Sequence, residues 1–241
     1  MQNALRRNTA LVLLTGLLGL PVQAQERVLG LLALPGVFGE GPCQPFEPAS
    51  PTLYHDAGAT RVLGTIQVDQ MWSSAPHGGC DGLEVRVHEG AARSELPTRE
   101  FEYEAPAAIV LDRRGGMFRI RLSGNRAGWV ASPASRFMSY ESLLEEFVGV
   151  TFLTDAYEGT LRTAPGATVA NAPAAAGKAG QPARVIETRR VADQLWLHVE
   201  VLSHSLCTAA AGGPPETVAE GWLPAHAGNG EPTVWFASRG C

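Results

Sequence analysis

The sharpest chemical coincidence in the chain is His77-Gly-Gly-Cys80, a thiol three residues from an imidazole with glycines between them. Such a pair suits a cysteine nucleophile beside a base, with the glycines leaving room for an oxyanion. A nucleophile also needs a separately placed orienting group, and nothing marks His55 or His88 for that role. His204-Ser-Leu-Cys207 repeats the spacing, so His77, Cys80, His204 and Cys207 together make the donor set of a tetrahedral zinc site. That site would leave Cys43 and Cys241 as unpaired thiols. Four cysteines in an exported chain read more simply as two bridges. The pairing expected is Cys43 with Cys80 and Cys207 with Cys241, each closing a loop within its own half of the chain. On the chain-entropy model each bridge contributes up to about 4 kcal/mol. No catalytic residue, metal or cofactor is therefore assigned.

Two further groups suit recognition. Arg113, Arg114, Arg119, Arg121 and Arg126 fall within one expected hairpin, with Arg119 and Arg121 on its polar face. They fit an anionic wall polymer or an acidic partner, or else the solvated side of a strand pair balanced by Glu100, Glu102 and Glu104. The five tryptophans, Trp72, Trp129, Trp196, Trp222 and Trp235, can fill cores or line a groove; Trp129 and Trp222 suit cores or groove floors, whereas Trp72 and Trp196 fall outside the inward rows and are candidates for contact with a partner. Glu145-Glu146 and Asp155 with Glu158 read as helix-surface and turn residues, since the separation in space that a glycosidase pair needs is not visible in sequence. No phosphate loop, dinucleotide fingerprint, Gly-x-Ser-x-Gly elbow or His-Glu-x-x-His occurs.

The compartment follows from the first residues. Arg6 and Arg7 precede the apolar run Ala10 to Leu20, and Val22-Gln23-Ala24 offers small residues for cleavage. This is the pattern of a secretory signal peptide, and the run falls short of the roughly 20 residues of a spanning helix. Cleavage after Ala24 removes two arginines and no acid, so the net charge moves from −5 to −7, which disfavours nucleic acid as a partner. A periplasmic or secreted protein without a transmembrane segment is expected.

Positioning falls to strands. Val62, Gly64, Ile66 and Val68 alternate with Leu63, Thr65 and Gln67; Leu83, Val85 and Val87 with Glu84, Arg86 and His88; Phe101 and Tyr103 with Glu100, Glu102 and Glu104. Ala107 to Leu111 is a short apolar run, followed by the turn Asp112 to Gly116 and by Phe118, Ile120 and Leu122 in alternation. A hairpin through Ser123-Gly124-Asn125-Arg126 leads into Gly128-Trp129-Val130. One helix is expected at Tyr140 to Phe147, with Ser139 as its cap. Val150 to Leu153, the segment from Val185, Leu195 to Val201, Gly221-Trp222-Leu223 and Val234-Trp235-Phe236 are the strands of the second half. The Ala/Gly/Pro tract 164–183 is expected to be a mobile loop.

The halves echo one another. Phe118-Arg119-Ile120-Arg121-Leu122 before Gly128-Trp129-Val130 parallels Leu195-Trp196-Leu197-His198-Val199 before Gly221-Trp222-Leu223. A strand, a hairpin and then Gly-Trp-Val resembles the final strands of bacterial SH3-like (SH3b) domains. Leu53-Tyr54 with Ala57-Gly58, and Leu161-Arg162 with Ala164-Pro165-Gly166, resemble their opening strand and turn. The resemblance covers scattered blocks in about half of the mature chain, and each half is longer than the roughly 60 residues of such a barrel. Segments 73–97 and 163–183 are then insertions.

The expected fold is mainly β: two SH3-like small β-barrels in tandem with long insertions and one short connecting helix. The boundaries are a signal peptide 1–24, an extended lead-in 25–50, a first barrel 51–137, the helix 138–149 and a second barrel 150–241. The function expected is non-enzymatic binding of a cell-envelope ligand, either wall peptide or glycan or a protein partner, with Trp72, Trp196, Tyr54, Arg119 and Arg121 as contact residues. The alternatives are an exported hydrolase using Cys80 with His77, and a structural or inhibitory envelope protein.

Overall fold

The structure, a computed structural model, describes residues 26–33, 50–72, 80–102, 105–146, 151–167, 177–205 and 213–237. The protein is mainly β, with two antiparallel sheets and one short α-helix among the described residues. The first sheet contains β1 (Gly30–Leu32), β2 (Thr52–Tyr54), β3 (Val62–Trp72), β4 (Cys80–Glu89), β5 (Ala92–Glu95), β6 (Thr98–Glu102), β7 (Ala105–Arg114), β8 (Met117–Arg121), β9 (Ala127–Ala131) and β10 (Phe137–Ser139). After α1 (Tyr140–Glu146), the second holds β11 (Thr151–Leu153), β12 (Pro182–Val191), β13 (Gln194–Leu202), β14 (Thr217–Pro224) and β15 (Val234–Phe236).

The first sheet runs β10-β1-β7-β8-β9-β2-β3-β4-β5, with β6 also on β7, and the second runs β15-β11-β12-β13-β14. The runs β10-β1-β7-β8-β9 and β15-β11-β12-β13-β14 share one plan: taken in chain order, the fifth strand pairs with the first, followed by the second, third and fourth. In the first copy β2 to β6 are inserted between its first and second strands. The inserted β2 lies against the fourth strand, with Leu53 opposite Val130 and Tyr54 opposite Trp129. In the second copy Arg162 makes the same approach through a single bridge to Trp222.

Turn chemistry fixes the hairpins. Gly115 and Gly116 both have positive φ between β7 and β8, as do Gly124 and Asn125 between β8 and β9, the conformation that matches a two-residue turn to the twist of its strands. Phase is less regular. A bulge between Leu53 and Tyr54 of β2 and their partners on β3 turns Val62 outward to 64 % exposure and lets Leu63 pack on the core, the reverse of uninterrupted alternation.

Two cores result, and β7 serves both. Ala108 and Val110 join Leu32, Leu53, Ile66, Val85, Val87, Leu96, Phe118, Ile120, Leu122 and Val130 on one side. Ala107, Ile109 and Leu111 join α1 and the inner residues of the second sheet on the other, with Val199, Val201, Leu223 and Phe236 among them. A strand covered on both faces reads as an unbroken apolar run, as 107–111 does. Gly30–Leu32, within the expected lead-in, takes part as well: β1 sits between β10 and β7, with Leu31 in one core and Leu32 in the other.

Ser139 caps α1, its Oγ accepting the Ser142 N–H at 3.1 Å. Tyr140, Leu143 and Leu144 are buried, and the Tyr140 hydroxyl donates to the Val234 carbonyl at 2.5 Å. Helix and second sheet are thereby tied through both packing and a buried hydrogen bond.

Candidate functional site

The repeated strand plan extends to individual side chains. Across the first sheet the register aligns Asp112 with Arg119, Arg119 with Trp129, and Trp129 with Tyr54. Across the second it aligns Glu187 with His198, His198 with Trp222, and Trp222 with Arg162. Each row therefore reads acid, cationic or titratable group, tryptophan, and a residue of the approaching segment. In each copy a bulge comes immediately before the acid, between Val110 and Asp112 and between Val185 and Glu187. Two residues past the acid an arginine folds back: Arg114 pairs with Asp112 at 2.9 Å and Arg189 with Glu187 at 2.6 Å. Their guanidinium groups lie over Trp129 and Trp222, 5.3 and 5.1 Å from the ring centroids.

The glycines before both tryptophans are there for the close approach of the opening segment. A Cβ on Gly221 would come within 3.0 Å of the Arg162 carbonyl oxygen and of the Leu161 Cβ. On Gly128 it would meet the Leu63 and Leu53 methyls at 3.1 and 3.3 Å. The tryptophans are consequently buried from behind and capped by arginine in front, each 6 % exposed. In the second row His198 stacks on Trp222 at 4.8 Å and its Nε2 meets Glu220 at 3.1 Å. An arginine lying over an indole contributes about 0.5–1 kcal/mol at an exposed site, so a ligand with its own cation or planar group can displace it at small cost.

The first row faces the second sheet across a cleft of about 810 Å3, where Asp112, Arg114 and Arg119 oppose Tyr157, Arg162 and His226. A second cleft of about 480 Å3 lies between Arg99 of β6 and the segments carrying Thr154, Asp155, Asn229 and Glu231. The junction between the sheets is polar as well as apolar. The Val28 N–H donates to the Gly230 carbonyl at 3.1 Å, and His226 Nε2–H donates to the Val28 carbonyl at 2.7 Å. Arg119 pairs with Glu26, Arg121 with Glu231 at 2.5 Å, and Arg190 with Glu141 at 2.7 Å. Burial lowers the His226 imidazole below its ordinary value, with the Arg27 and Arg190 charges acting in the same direction and the Val28 carbonyl opposing them. Burial also raises the half-buried Tyr157 phenol to about 12.

Of the residues singled out from sequence, Tyr54 and Arg119 come together in one row, on either side of Trp129. Arg121 sits two residues along β8, bound to Glu231. Trp196 is 3 % exposed, its ring covered by the Arg162 guanidinium at 5.1 Å, so it faces an internal partner. Trp72 ends β3 opposite Cys80 in the register, and the side chains of both lie outside the described residues. His77, Cys43, Cys207 and Cys241 also lie outside them, and with them the expected bridges, the zinc set and the cysteine nucleophile. Among the described residues no group of three or more His, Cys, Asp or Glu is placed to hold a metal ion, and no helix is long and apolar enough to cross a membrane. Asp112, Arg114, Glu187 and Arg189 were not singled out as a pair of motifs. Their signal was acid-x-arginine one strand ahead of each Gly-Trp hairpin.

Comparison with protein families, with curated proteins and with solved structures finds no match for this chain.

Proposed function

We propose that the chain is an exported, non-enzymatic binding or adaptor protein of the cell envelope, built from two SH3-like units, that recognises wall peptide or glycan or an envelope protein. The duplicated acid, cation and tryptophan row supports this reading most directly. Packing alone requires neither the Asp112–Arg114 nor the Glu187–Arg189 pair, yet both copies place an arginine over the tryptophan beside an acid. A ligand that displaces the guanidinium gains an aromatic face already flanked by hydrogen-bonding groups. The Gly-Trp strands and the segments that approach them are the features shared with SH3-like domains. The signal-like residues 1–24 supply the export half of the reading.

Retention of the purified protein on washed wall material and on immobilised envelope proteins tests the proposal. Wild type is retained by one of the two, and the double variant R114A/R189A, which leaves both indole faces uncovered, elutes later, with its unfolding midpoint near that of wild type. Failure of wild type to be retained by either matrix overturns the reading.

A further inference from the structure

The arginines of the junction are not equally satisfied. Arg119 has Glu26, Arg121 has Glu231 and Arg190 has Glu141. Arg99 is half-buried, and no carboxylate among the described residues lies within ion-pair distance of it. Of the charges acting on it, Glu231 is already held by Arg121, and Arg121 itself opposes it. Two guanidinium groups thus share one carboxylate. A cation partly withdrawn from water without a partner is costly, and proteins ordinarily supply one.

What holds Arg99 in place is Trp235, whose ring centroid lies 4.7 Å from the guanidinium carbon. Trp235 is itself fixed, 3 % exposed and stacked on Tyr140 at 5.7 Å with the rings 9° from parallel. Stacking engages the flat face of the guanidinium and leaves its N–H edge for other partners. Arg99 lines the 480 Å3 cleft together with Thr154, Asn229 and the glycine backbone at Gly180. The site therefore offers a preorganised fork of donors with the neutral Thr154 and Asn229 beside it, while the lining also carries Glu231, held by Arg121, and Asp155.

We infer that this cleft binds a carboxylate, taken bidentately by Arg99 on its Trp235 platform. The fork geometry matches a planar carboxylate. Asp155 lines the same cleft, so a dianion such as phosphate meets a repulsion that a single carboxylate meets less strongly. The inference rests on the binding function proposed above and names the chemistry of one part of the ligand: the carboxylate of a peptide, at its C-terminus or on an acidic side chain.

The test is a titration of the full mature chain, following the arginine Nε–H resonances by NMR, with the Arg99 signal identified by its loss in R99K. The probes are N-acetyl-glycyl-glycine with a free terminal carboxylate, its C-terminal amide, N-acetylglutamate α-amide and inorganic phosphate. The carboxylate probes shift the Arg99 signal, the neutral amide does not, and phosphate binds at least several-fold more weakly. R99K, which keeps the charge but loses the fork, binds the carboxylates at least tenfold more weakly. A response only to the terminal carboxylate or only to the glutamate side chain fixes which source the site takes. Equal shifts from the acid and amide forms, or none from either, overturn the inference. Wall or envelope-protein retention measured on the same wild-type sample separates the two proposals: retention without a carboxylate response sinks this one alone, and the reverse sinks the broader one.

Discussion

Trp129 and Trp222 occupy the same place in two copies of one five-strand plan, each behind a glycine that admits the backbone or side chains of an earlier segment and each under an arginine two residues past an acid. The copies differ in what surrounds them. In the first, strands β2 to β5 extend the sheet past Trp129 and the row looks into the cleft between the sheets. In the second, one bridge at Arg162 stands where β2 stands in the first.

The two faces of β7 give a first prediction. Ile109→Ala removes bulk from the core shared with α1 and the second sheet, and Val110→Ala from the core of the first. Each costs about 2 kcal/mol or more. Because one strand carries both residues, calorimetry of either variant shows a single transition moved to lower temperature. Two resolved transitions, only one of them shifted, would contradict this.

Gly230 sits where the junction is tightest. Its φ is +81°, and a Cβ there would lie 1.8 Å from the Glu26 carbonyl oxygen, beside the Val28 N–H bond to Gly230. Gly230→Ala is expected to lower stability by about 3 kcal/mol through strain and overlap together. Urea unfolding measures it, and a loss under 1 kcal/mol, of the order of an ordinary surface change, would show that the segment 26–29 does not pack as described.

Tyr140→Phe keeps the ring stacked on Trp235 and tilted against His226 but deletes the hydroxyl that donates to Val234. A lost buried hydrogen bond with its acceptor left dry costs about 1–2 kcal/mol. A neutral or stabilising effect in urea titration would refute that role for the hydroxyl.

His226 makes the junction sensitive to acid. Its folded-state pKa lies below the unfolded value, so on acidification the unfolded chain takes up the proton first. The stability this residue contributes is therefore fully present above about pH 6.5 and is lost as pH falls below it. Unfolding free energies measured from neutral to mildly acidic pH fall for wild type and fall less steeply for His226→Gln. Parallel slopes for the two proteins would exclude the histidine as the source.

Much of this architecture is visible in the sequence, and the exceptions share a cause. The strands around Phe118, Leu195 and Val234 and the Ser139-capped helix follow from local period and capping, and the Gly-Trp recurrence marks the duplicated hairpins. Trp196 was misplaced because alternation assumes one wet face, whereas β13 is covered on both over much of its length, with Arg162 lying over the indole. The partners of Arg119 and Arg121 were out of reach for another reason. Glu26 and Glu231 are 93 and 110 residues away, and an ion pair between distant segments leaves no trace in the spacing of either. β1 was equally hidden, since three apolar residues beside a proline-rich stretch carry no information about which strands flank them.

A strand that lends one row of side chains to each core also governs how the gene for this chain can be cut. A fragment ending ahead of Tyr140 would leave Ala107, Ile109 and Leu111 facing water, and one starting at Thr151 would bare the surfaces of Val199, Val201 and Phe236 that they and α1 cover. The halves echo one another as though interchangeable, yet neither can be transplanted into another protein without taking the other along.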